Sequence, residues 1–69
     1  MIVEGVVKDL INKCLNEKLK ISILQIQRRT KLPFAKAKEL RNLLLDNRVI
    51  DVNGYVLINE EELQRLELN

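Results

Sequence analysis

The sequence predicts a mainly α domain with a small β-hairpin: an α+β fold of three core helices, a two-stranded hairpin and a short C-terminal helix. Three observations predict it. Apolar residues recur at three- and four-residue spacing early in the chain and again in its middle, the period of amphipathic helices. Asn53-Gly54 stands between the β-prone runs 49–52 and 55–58, the strongest short-range hairpin signal. Asn59 precedes three glutamates and then Leu63 and Leu66 at helical spacing, the pattern of a capped amphipathic turn.

The first helix is expected over residues 3–16, with Val3, Val6, Val7, Leu10, Ile11 and Cys14 inward and Glu4, Lys8, Asn12 and Asn16 outward. Cys14 falls on the apolar stripe and reads as a buried structural thiol. Residues 18–21 form a connector, with room for a short extended piece at Lys20-Ile21. Ser22 with Gln25 three residues later is a capping-box pattern, in which hydroxyl and amide side chain each satisfy a free backbone N–H. It opens a second helix over residues 23–30, with Leu24 and either Ile23 or Ile26 inward.

Lys31-Leu32-Pro33 interrupts the periodicity, and Pro33 suits the first turn of a new helix because it has no N–H to leave unpaired. The third helix is expected over residues 33–47, with Ala37, Leu40, Leu44 and in part Leu45 on its inner stripe. Ala37 fits either a close helix crossing or simple helix propensity. The hairpin is expected over residues 48–58. A two-residue type I′ turn at Asn53-Gly54 pairs Val52 with Tyr55 and Ile50 with Leu57. The fourth helix is expected over residues 60–67, with Glu60, Glu61 and Glu62 at its electropositive start.

Composition narrows the function. The chain has 69 residues and reads as a single domain, 1–69, close to the lower limit for a self-sufficient core. Phe34 and Tyr55 are the only aromatic residues, too few for the stacking platforms that hold single strands. One cysteine and no histidine exclude an intrachain disulfide, zinc fingers and Ser-His-Asp or Cys-His nucleophile pairs. With no Gly-rich phosphate loop or spaced carboxylate cluster, neither catalysis nor any cofactor or metal is expected. No apolar run reaches the ~20 residues of a membrane span, and the start lacks a signal-peptide pattern. A cytoplasmic setting is expected, nucleoid-associated if the chain binds DNA, with no membrane partner.

Charge is distributed unevenly. Residues 27–41 hold six cations (Arg28, Arg29, Lys31, Lys36, Lys38 and Arg41) against Glu39 alone. From Asp51 onward five anions face only Arg65. Such asymmetry suits one surface for a polyanion and another for solvent.

The order helix, helix-turn-helix, hairpin, helix is that of a winged helix-turn-helix. Within it, residues 22–40 resemble the gamma domain of the FtsK/SpoIIIE DNA translocases. Gln27-Arg28-Arg29 match that family's Gln-Arg-Arg, Lys31 a basic position, Leu32 and Phe34 an apolar and an aromatic one. Lys36, Ala37 and Leu40 match the Arg, Ala and Leu that follow, whereas Pro33, Ala35 and Glu39 replace Gly, Asn and Arg. The resemblance implies duplex DNA read by the third helix, with Lys36 as the counterpart of a DNA-contacting arginine.

The expected function is double-stranded DNA binding, as a small transcriptional or DNA-processing regulator, with the third helix in the major groove. Lys36, Lys38 and Asn42 are the candidates for base edges or adjacent phosphates, and Ala35 for a thymine methyl. Gln27, Arg28, Arg29 and Lys31 would clamp the flanking backbone. Glu39 either accepts from cytosine or neutralises a neighbouring lysine. A hairpin tip of Asn53-Gly54 with Asp51 and no cation gives little grip on a minor groove. A homodimer or larger protein partner would add affinity, with Ile2, Leu43 and Leu68 as spare apolar residues. The alternative function is a protein-interaction or oligomerisation module without DNA.

Overall fold

The computed structural model describes residues 5–67. Four helices follow in order: α1 (Gly5–Glu17), α2 (Ile23–Thr30), α3 (Phe34–Asp46) and α4 (Glu60–Gln64). α2 packs against both α1 and α3, and α4 packs against α1. Their shared core is aliphatic: Val7, Leu10, Ile11, Cys14, Ile21, Ile26, Ala37, Leu40, Leu44, Val49, Ile50 and Leu63 are buried, and no described polar side chain is.

Local chemistry sets the helix ends. α1 buries Val7, Leu10, Ile11 and Cys14, while Val6 is largely exposed; Val3 and Glu4 lie outside the described residues. It closes at Lys18, whose φ is 56°, with the Leu19 N–H donating to the Cys14 carbonyl at 2.9 Å. α3 closes in the same way. Arg48 has φ 59°, and the Val49 N–H reaches the Leu44 carbonyl at 2.9 Å, burying the apolar pair that accompanies a Schellman end.

At α2 the Ser22 hydroxyl accepts from the Gln25 N–H at 3.1 Å. Only that half of the expected capping box forms there. The complete box is at α4, where Asn59 and Glu62 cap each other's backbone N–H. Leu24 is 54% exposed, so Ile26, with Ile23 half-buried, supplies the inward face of α2. Pro33 is the N-cap of α3 instead of its first residue. α4 is shorter than expected because Arg65 and Leu66 donate to Glu62 and Leu63, three-residue bonds that tighten and end the helix.

The expected hairpin does not form, and the α+β winged architecture is thereby corrected to a small helical domain. Among the described residues there is no strand, hence no wing; Ile50 and Val56 make one isolated antiparallel bridge. Asp51 explains the difference. One carboxylate oxygen accepts from the Asn53 N–H at 2.8 Å and the Tyr55 N–H at 3.0 Å, an Asx-type competitor to ladder pairing. The Gly54 N–H donates to the Asp51 carbonyl and the Asp51 N–H to the Tyr55 carbonyl, both at 2.9 Å. The turn therefore spans Val52, Asn53 and Gly54, and only Gly54 takes a positive φ, 95°. That one-residue change of register pairs Ile50 with Val56 instead of Leu57, and a slip of one exchanges the faces. Ile50 stays buried, while Val52, Tyr55 and Leu57 face solvent.

The turn is held from outside. The Ile21 N–H donates to the Gly54 carbonyl at 2.8 Å, and the Arg41 Nε donates to the Ile21 carbonyl at 3.1 Å. Ile21, fully buried, thus ties α3 to the turn through its own backbone.

A basic surface on α2, its turn and α3

Each expected contact residue can be placed. Arg28 and Arg29 are exposed in the last turn of α2, and Gln27 before them is half-buried. The chain then leaves the helix at Lys31, whose φ is 62° and whose N–H caps the Gln27 carbonyl at 2.9 Å. Thr30 completes this end: its hydroxyl donates to the Ile26 carbonyl at 2.6 Å and accepts from the Leu32 N–H at 3.3 Å. The Thr30 hydroxyl thus supplies a partner to the Leu32 N–H in the turn that follows the helix. With Pro33 extended, α2 and α3 are joined by the short turn 31–33.

On α3 the stripe Ala37, Leu40 and Leu44 is buried, with Leu45 half-buried. Ala35, Lys38, Glu39, Asn42 and Asp46 are all exposed, as helical phasing against that stripe requires. Lys36 is exposed too and lies 3.5 Å from Glu39, with 65% and 70% of the two side chains accessible. So open a pair contributes at most about 0.2–1 kcal/mol, and leaves Lys36 able to exchange partners. Of the two roles open to Glu39, neutralising a lysine is the one it performs here.

Arg41 is the departure. Sequence charge places it with the other cations, but it is half-buried and bonded to Ile21, so its first role is structural. The outward charge rests on Arg28, Arg29, Lys31, Lys36 and Lys38. A further cation that sequence reading passed over is Lys20, whose ammonium stands 5.5 Å above the Tyr55 ring. Only the connector's approach to the turn, visible in the Ile21–Gly54 bond, brings that pair together.

Beside the polar face of α3 is a depression of about 420 Å³ lined by Leu32, Lys36, Glu39, Leu40 and Leu43. Leu43, half-buried, is thus one of the spare apolar residues; Ile2 and Leu68 lie outside the described residues. Cys14 is buried, and its thiol is pushed above its ordinary pKa chiefly by that burial, with Lys13 and Arg29 opposing and Glu17 adding to the shift. Among the described residues no three His, Cys, Asp or Glu side chains gather where they could hold a metal ion. No described helix is long and apolar enough to cross a membrane. Compared with protein-family models, curated proteins and solved structures, the chain gives no match.

Proposed function

We propose that the chain binds double-stranded DNA through the unit formed by α2, the turn 31–33 and α3. One observation carries this reading. Arg28 and Arg29 on α2, Lys31 in the turn, and Lys36 and Lys38 on α3 are all exposed, α2 and α3 pack together, and the outer side of α3 offers Ala35 and Asn42. The resemblance of residues 22–40 to the FtsK/SpoIIIE gamma domain supports the same reading. Without a wing, binding rests on this unit alone. α3 would enter the major groove while Arg28, Arg29 and Lys31 meet phosphates.

The chemistry is that of counterion release. The three phosphate contacts of Arg28, Arg29 and Lys31 give a slope of log K against log salt of about −2.7, at roughly −0.9 per phosphate. Arg28→Ala and Arg29→Ala are each expected to weaken binding to all duplexes alike and to reduce that slope by about one unit. Lys36→Ala is expected instead to change the ranking among sequences, because its position on the first turns of α3 puts it near base edges. Titration of labelled duplexes at several salt concentrations reads both effects. Duplex binding that is feeble at low salt and indifferent to all three substitutions would remove this surface as a DNA site and favour a protein partner.

A further inference from the structure

Glu39 is the one anion in the first half of α3, and it is exposed there beside Lys36 and Lys38. On a surface that meets phosphates an anion works against binding, so its presence calls for a second role. It does not stand alone. The Lys36 Nζ lies 3.5 Å from the Glu39 Oε2 across one helical turn, which sets a donor and an acceptor side by side. Both side chains line the same depression, next to Leu32, Leu40 and Leu43.

The major groove presents a matching spacing. In every base pair a keto oxygen (guanine O6 or thymine O4) accepts from an amino group (cytosine N4 or adenine N6), so the two atoms lie about 2.9 Å apart. An ammonium over the keto oxygen and a carboxylate over the amino group satisfy both at once. The reversed pair sets ammonium against amino hydrogens and carboxylate against the keto oxygen.

We propose that the Lys36–Glu39 pair reads the orientation of one base pair, with the keto base on the Lys36 side and the amino base on the Glu39 side. Guanine opposite cytosine suits it best. Guanine N7 gives the ammonium a second acceptor, whereas adenine opposite thymine brings its N7 acceptor toward the carboxylate. The neighbouring leucines exclude water once the groove covers the pair, so a reversed base pair leaves polar groups unpaired with no solvent to compensate. Glu39 thereby exchanges general affinity for discrimination. It becomes a specificity residue of the proposed DNA surface, on whose existence this assignment rests.

Selection from a pool of duplexes randomised over one helical turn, about 10 base pairs, followed by sequencing, tests the assignment. Wild type is expected to enrich one position for guanine opposite cytosine, about tenfold over the reverse. Glu39→Gln, whose amide both donates and accepts, is expected to reduce that preference to about twofold or less. It is also expected to bind the pool more tightly, because an anion has left the surface. Lys36→Glu with Glu39→Lys keeps the net charge and is expected to invert the preference at that position alone. Both residues are exposed, circular dichroism checks the fold, and Glu39→Gln decides alone if the exchange variant does not fold. A preference that survives Glu39→Gln, an exchange that leaves the orientation unchanged, or wild-type binding without any orientation preference overturns the proposal and leaves the duplex surface standing. A wild-type chain that retains no duplex at low salt overturns both.

Discussion

Gly54→Ala is the substitution that most directly tests how the turn 52–54 is built. A Cβ at Gly54 would lie 2.8 Å from the Ile21 carbonyl oxygen and 3.3 Å from its nitrogen. Both are backbone atoms, and the same Ile21 N–H is bonded to the Gly54 carbonyl at 2.8 Å, so relief of the clash stretches or breaks that bond. A left-handed conformation costs an L-residue about 1–2 kcal/mol, and the hydrogen bond contributes about 1 kcal/mol. Reduced freedom of the unfolded chain returns about 0.4–1 kcal/mol. The net loss expected is about 2 kcal/mol, in a domain of 69 residues whose total stability is on the order of 3–10 kcal/mol. Asn53→Ala is the control. Asn53 is not among the positive-φ residues and uses only its backbone N–H toward Asp51, so its loss should stay within about 0.5 kcal/mol. In a type I′ turn Asn53 would itself be left-handed and the control would cost about 1–2 kcal/mol. Urea unfolding of the two variants decides. Equal losses, or a Gly54→Ala loss under about 1 kcal/mol, would refute the register described.

Other substitutions test other parts. Leu40→Ala, at a side chain 3% exposed, should cost about 2–5 kcal/mol in the same assay. Lys31→Gly should relieve the left-handed φ of 62° and stabilise the fold by about 0.5–1 kcal/mol, while reducing the salt slope of duplex binding by about one unit; the two readouts move in opposite directions. The Cys14 thiol has its folded pKa raised by burial. Its contribution to stability is therefore fully present below the unfolded thiol's ordinary value and is lost as pH rises through the folded one. Alkaline unfolding curves of wild type and Cys14→Ala should diverge over that window, and parallel curves would show that the thiol ionises equally in both states.

Part of this structure is written in short stretches of sequence. The bounds of α2, the caps at Ser22 and Asn59, the buried stripe Ala37, Leu40 and Leu44, and the burial of Cys14 all follow from periodicity and from residues within one helical turn. The basic residues of the candidate site were legible for the same reason: exposure on a helix is set by phase against its apolar stripe, so Arg28, Arg29, Lys36 and Lys38 fall outward. What depends on distant partners was not legible. Asn53-Gly54 alone favours a tight hairpin, but Asp51 seizes the nearby N–H groups and Ile21, more than thirty residues upstream, claims the Gly54 carbonyl. Arg41 looks like one more surface cation until the Ile21 carbonyl comes within its reach. Sequence by itself determined where the helices lie and which charges they show, because those rest on bonds closed within four or five residues. Tertiary structure decided the register of the turn, the absence of a wing and the loss of Arg41 from the basic face. The turn's register rests on the Asp51 carboxylate together with the Ile21–Gly54 bond, and the loss of Arg41 on the Ile21 carbonyl; a single backbone position facing two remote segments leaves no periodic trace in the sequence.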